Sequence, residues 1–149
     1  MKKKDIRISH GYGEINFGVS IPDVIDVLHE PDYTEELDGG DEGQLSIVYM
    51  YYSIDLVAFF EGFGEKLLSI LETKDKESTL FGKAIFKMNE SEIVDMMRAN
   101  GFNELDTEIM IWGGKRVTFE DGNIDFFFNE GNLDTVSWGV LILDDGSFV

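Results

Sequence analysis

Two stretches of this chain place apolar residues at helical spacing, and most of the remaining apolar residues alternate with the period of strands. After Ser20, Val24, Val27 and Leu28 form one stripe. Ser20 reads as the N-cap, Pro22 and Asp23 suit the first turn, and Pro31 stops the helix. After Asn89, Ile93, Met96 and Met97 form a second stripe. Glu92 completes a capping box with Asn89, and Gly101 is the residue just past the end. Residues 5–17 read as a strand or hairpin arm. Strands are predicted over 46–52, 54–61 and 66–73, then over 82–88, 108–112, 115–120, 124–128 and 133–142. Glu120-Asp121-Gly122-Asn123 is a hairpin turn signal, because Asp-Gly accepts positive φ. The acidic, glycine-rich residues 35–43 predict a surface loop, and 74–78 a polar connector.

The two helix patterns belong to a longer repetition. Shifted by 69 positions, Tyr12–Tyr33 falls on Phe81–Phe102, with Gly13 on Gly82, Phe17 on Phe86 and Asp26 on Asp95. Ser20 falls on Asn89, Asp23 on Glu92 and Val48 on Val117. One residue later, Ile54-Asp55 falls on Ile124-Asp125. The pattern predicts a single α+β domain over 1–149, with internal repeats at approximately 10–73 and 79–142. Each repeat is a helix plus antiparallel sheet. Together they are expected to form one curved sheet with the helices on one face.

If the shared Val48 and Val117 face the core, alternation assigns the other side chains. Val48, Met50, Ile54 and Leu56 point inward, as do Ile124, Phe126 and Phe128. Ile47, Tyr49, Tyr51, Asp55, Val57, Phe59, Asp125 and Phe127 point away. The second face would then carry Tyr49, Tyr51, Phe59 and Phe127, bordered by Asp55, Asp125 and Glu120. An aromatic patch with an acidic rim has the anatomy of a protein-binding surface. A covering loop, the N-terminal arm or a second copy of the chain would be the alternative use of that face.

Charge narrows the partners. The 149 residues include 30 acids and 12 bases, a formal charge of −18. Nucleic acid and anionic lipid both need a basic footprint, so neither is expected. A basic protein partner is, with steering to speed its association. Hydrophobic residues make up 43% of the chain, enough for a core at this size. There are no cysteines and no apolar run long enough to span a bilayer, which predicts a cytoplasmic protein. A monomer or weak homodimer is expected.

Candidate chemistry is sparse. Counted from Asp38, an EF-hand would need a ligand at Gly40 and a glutamate at Tyr49, so Asp38–Gly43 reads as a solvated loop. Asp144-Asp145-Gly146 reads as a turn. Gly11-Tyr12-Gly13 and Gly62-Phe63-Gly64 lack phosphate-loop spacing and context. His10 and His29 have no general-base or metal spacing, and His29 sits where a helix dipole favours a cation. No nucleophile elbow surrounds a serine. The expectation is a non-enzymatic protein with no catalytic residue, no cofactor and no metal.

The segment Phe17-Gly18-Val19-Ser20-Ile21-Pro22-Asp23-Val24-Ile25-Asp26-Val27-Leu28-His29-Glu30-Pro31 resembles a Gly-Met-Ser-x-x-Glu-Val-x-x-x-Leu-Gly-x-Pro signature. That signature opens the repeat of β-lactamase inhibitor protein and of small outer-membrane assembly lipoproteins; His29 stands where it has glycine. Thr79-Leu80-Phe81-Gly82-Lys83 and Trp138-Gly139 are similar to segments of bacterial cytosolic proteins, some of immunity-protein type. The resemblance implies two tandem units whose sheet face grips a partner, and an inhibitor that neutralises a basic toxin or enzyme. An envelope-assembly module and an acidic DNA mimic are the alternative readings.

Overall fold

The computed structural model describes residues 3–38 and 45–149, and it is an α+β structure of two helices and two sheets. Three short strands come first: β1 (Asp5–Arg7), β2 (Gly11–Tyr12) and β3 (Ile15–Asn16). Helix α1 (Ile21–Leu28) follows. Ser20 caps it by accepting the Asp23 amide at 3.4 Å, and Val24 and Leu28 supply its buried side. An antiparallel meander then runs through β4 (Tyr33–Asp38), β5 (Leu45–Tyr51), β6 (Leu56–Glu61) and β7 (Leu67–Thr73).

The rest of the chain runs through a similar series of elements. Strands β8 (Thr79–Leu80) and β9 (Lys83–Ala84) precede helix α2 (Glu90–Ala99). Its capping box is complete: Asn89 accepts the Glu92 amide at 2.9 Å, and Glu92 accepts the Asn89 amide at 3.0 Å. A second meander runs through β10 (Leu105–Ile109), β11 (Lys115–Phe119), β12 (Ile124–Asn129) and β13 (Asn132–Gly139).

The two meanders join through β13 and β7, giving an eight-stranded sheet ordered β10-β11-β12-β13-β7-β6-β5-β4. The short strands form a second sheet, ordered β3-β2-β1-β8-β9, in which β1 and β8 are parallel. The expected single curved sheet is therefore two sheets. Residues 82–88, predicted as a strand, make only β9 and a 3-10 turn at Ile85–Lys87. Phe81 and Gly82 both take positive φ, at 51° and 75°, and reverse the chain before a strand can extend. Residues 35–38, predicted as loop, instead finish edge strand β4, where Leu37 and Asp38 pair with Ser46 and Leu45. Carboxylates on an edge strand are compatible with pairing on one side, and they discourage pairing on the other. The remainder of that predicted loop, including Gly39 to Gly43 of the calcium test, lies outside the described residues.

One core serves all of these elements. Alternate residues of the large sheet enter it: Tyr51, Leu56, Ala58, Phe60, Leu68 and Leu71 from the first meander, Val117, Phe119, Ile124, Phe126, Val136 and Trp138 from the second. Val24, Leu28, Ile93 and Met97 of the helices close it from the same side, with Tyr12, Ile15 and Leu80 of the small sheet. Trp138 ties the layers together. Its ring packs edge-on to Tyr12 at 5.5 Å and its Nε1 donates to the Gly11 carbonyl at 2.9 Å. Lys4 ties the N-terminal arm to the connector between the meanders by pairing with Asp75 and Glu77, each at 2.8 Å.

Candidate protein-binding face

Helices and small sheet all bury their apolar residues on one side, so the other side of the eight-stranded sheet has no covering helix or strand among the described residues. Its composition follows from the register. From β4 to β7 the side chains in line are Tyr33 and Glu35, then Met50 and Val48, then Val57 and Phe59, then Glu72 and Ile70. From β13 to β10 they are Ser137 and Thr135, then Asp125 and Phe127, then Thr118 and Arg116, then Asp106 and Glu108. One half of this open face is thus largely apolar and the other largely polar.

The polar half is electrostatically closed. Arg116 lies 3.1 Å from Asp106, 3.9 Å from Glu108 and 3.8 Å from Asp125. Thr118 accepts from Arg116 and donates to Asp125. These partners consume the donors of a guanidinium that would otherwise attract an anion.

The apolar half ends in a pocket of about 260 Å³ lined by Met50, Tyr52, Asp55, Val57, Glu72 and Lys74, among others. Burial raises the Glu72 carboxyl above its ordinary range, a hydrogen bond from Ser137 and the nearby Lys74 pull it back, and Asp125 pushes it further up. Lys74 sits at the rim with its ammonium 3.8 Å from Asp134. At the opposite end of the half, Ser46 and Ser69 both donate to Glu61.

The predicted site residues divide. Phe59, Phe127 and Asp125 lie on the open face as the alternation required. Asp55 and Glu120 are exposed, in the turns that precede β6 and β12. Tyr49 and Tyr51 are the correction, because both point to the core. Tyr51 is 4% exposed, its hydroxyl donates to the His29 carbonyl at 3.0 Å, and burial pushes its pKa up to about 12. Tyr49 packs edge-on to Phe60 at 5.1 Å. Val48 and Met50, expected on the core side, lie on the opposite side of the sheet, where Val48 is nonetheless buried at 1% exposure and Met50 is half-buried. The cause is the offset between halves. Asp55 and Asn123 are both left-handed, and the two meanders carry register shifts at Phe59/Phe60 and at Phe127/Phe128. These landmarks are 68 positions apart, which puts Tyr49 on Val117 and Tyr51 on Phe119. The Val48–Val117 match was one residue out of step, and a one-residue slip exchanges the faces of a strand.

Sequence reasoning placed Val57 on this face but missed Met50, Ile70 and Glu72. It missed the β10–β11 hairpin tip as well. There Ile109, Ile111 and Trp112 are 71%, 107% and 58% exposed. The tip is ordered by Met110 and Gly114, whose backbones bond at 2.7 Å. The Trp112 ring lies over Gly114 so closely that any β-carbon there would clash with it. His10 and His29 are both exposed, and among the described residues no three His, Cys, Asp or Glu side chains are placed to hold a metal. No described helix is long and apolar enough to cross a membrane.

No family model matches the chain, and no curated protein matches it. Among solved structures it is similar to an extracellular protein containing a SCP domain from Bacillus anthracis str. Ames. The two share 16% identity with a TM-score of 0.48, over 87% of this chain and 44% of that one. The chain therefore spans less than half the length of that protein.

Proposed function

We propose that this chain is a non-enzymatic binding protein of the cytoplasm, whose open sheet face docks on a basic protein and neutralises it, as an immunity-type inhibitor does. The observation that carries this reading is the uncovered face itself. Met50, Val57, Phe59 and Ile70 form an apolar centre beside Glu35, Glu61 and Glu72, in a chain of charge −18. An apolar centre with a charged rim is how protein interfaces combine affinity with steering. The exposed Ile111 and Trp112 would add a second anchor, since tryptophan is the side chain most enriched at energetic centres of interfaces.

The architecture supports the reading. We take the molecule as two copies of one helix-plus-meander unit, on the paired caps Ser20 and Asn89, the paired left-handed residues Asp55 and Asn123, and the paired register shifts. Such a duplication yields one broad sheet face. Its polar half closes on its own ion pairs, which leaves the apolar half to the partner. We take the free protein as a monomer or weak homodimer.

The test uses the native organism's lysate, the wild-type chain, and the variants Phe59→Ser and Trp112→Ser. A basic protein retained by the wild type, lost by the open-face variant, and inhibited at one-to-one ratio by the purified chain supports the proposal. Equal retention by Phe59→Ser, or a retained protein whose activity the chain leaves unchanged, contradicts it.

A further inference from the structure

We propose that the pocket at the end of the open face receives an arginine side chain of the partner, with Glu72 as the counter-charge. This rests on the open face being the binding surface and names the chemistry of its anchor. The pocket, about 260 Å³, is lined by Met50, Tyr52, Asp55, Val57, Glu72 and Lys74, among others. Its wall is held in place by the Lys74 amide, which donates to the Asp55 carbonyl at 3.1 Å.

Glu72 is the informative group. It lies beside the junction of the two meanders, opposite Ser137 and Val57. Among the described residues no cation pairs with it, whereas Arg116 on the same face is surrounded by three carboxylates. Ser137 hydrogen-bonds Glu72 and the charge of Lys74 reaches it, but Lys74 is 63% exposed at its side chain and 3.8 Å from Asp134. A carboxylate in an apolar setting is costly to keep charged unless a partner compensates it. Here the space in front of it is a cavity with aliphatic and aromatic walls.

Arginine suits that space better than lysine. Its guanidinium is planar, offers two parallel donors to a carboxylate, and is more weakly hydrated than an ammonium, so entering a half-buried pocket costs less. Its methylene stem can lie along Met50 and Val57 while its plane faces Tyr52, where a cation gains from the ring. The acidic excess of the chain brings such a side chain to the surface before the pocket selects it.

The probe is N-acetyl-arginine amide, with N-acetyl-citrulline amide as its uncharged counterpart of the same shape, titrated into the full chain and followed by amide chemical shifts. Saturable shifts centred on Val57, Lys74 and Thr135 are expected from arginine and not from citrulline. Glu72→Gln should weaken arginine binding by about tenfold or more. Glu108→Gln at the far edge should not. A thermal melt of Glu72→Gln no lower than wild type removes misfolding as a cause. Equal binding of citrulline, shifts centred elsewhere, or full affinity in Glu72→Gln overturns the proposal. The probe needs only the pocket, so it can succeed even if the open face has no protein partner. A partner that binds Glu72→Gln as tightly as wild type, but not Phe59→Ser, would overturn the pocket and keep the face.

Discussion

His29 holds a backbone conformation, φ 68° with ψ −172°, that is almost confined to glycine. It caps α1 there because Pro31 follows and the chain must turn into β4. His29→Gly is expected to raise stability by about 1 kcal/mol, since relieved strain outweighs the added chain entropy. A thermal melt should read this as roughly 2–4 °C. Tyr51 and Phe59 offer a sharper contrast, because they lie in adjacent strands on opposite faces. Tyr51→Ala opens the core and should cost about 3–5 kcal/mol, whereas Phe59→Ala should cost about 1 kcal/mol, the ordinary scale for a partly exposed site. Denaturant unfolding of the two variants measures the difference, and equal losses would mean that the faces are wrongly assigned. Glu72 adds a pH dependence. Its folded pKa lies above its unfolded one, so the native state binds more protons and this group's stabilising contribution is present at low pH and lost as pH rises through the folded value. Glu72→Gln should therefore melt higher than wild type at pH 7, with the gap narrowing as pH falls through the raised folded value and closing near the ordinary glutamate pKa. Melts across pH 4–7 check this, and a variant less stable than wild type at neutral pH would contradict it.

At the scale of elements, the β10–β11 tip is the clearest independent target. Trp112 is 58% exposed and Trp138 is 1% exposed, so two tryptophans report two environments. Acrylamide should quench the Trp112 emission readily and leave that of Trp138 nearly untouched. Gly114→Ala should dislodge the Trp112 ring and shift its spectrum while leaving the melt within about 1 kcal/mol of wild type, as for a surface change. Protection of both tryptophans from quencher would mean that the tip is covered. The helices were legible in the sequence because their signals are local: Ser20 and Asn89 cap within one turn, and Pro31 and Gly101 mark the ends. Strands β6, β7, β11 and β12 were legible from alternation, and so were Phe59, Phe127 and Asp125. The direction of β5 was not, because it depends on the exact number of residues between α1 and the strand, and a valine in each half offered a false landmark. The small sheet was not legible either. Its strands are two or three residues long and exist through the parallel pairing of β1 with β8, a contact between distant segments that no local pattern announces. Glu72 and its pocket depend on the β13–β7 junction, which is likewise a tertiary fact.

For the whole molecule, charge and surface act at different distances. The excess of acids, −18 overall, would draw a basic partner from afar, so its association rate should fall as salt rises while its dissociation rate changes little. Both edge strands carry part of that charge, Glu35, Glu36 and Asp38 on β4 and Asp106 and Glu108 on β10, and charged edge strands disfavour edge-to-edge pairing. On the proposed reading, the short-range selection would fall to Met50, Val57, Phe59 and Ile70. The account therefore turns on whether that patch binds. The direct measurement is a binding titration of the captured basic protein against wild type and Phe59→Ser, with melts of both in the same buffer. The account predicts that Phe59→Ser loses about 2 kcal/mol or more of binding free energy while remaining folded. An unchanged affinity in a folded Phe59→Ser variant would contradict it.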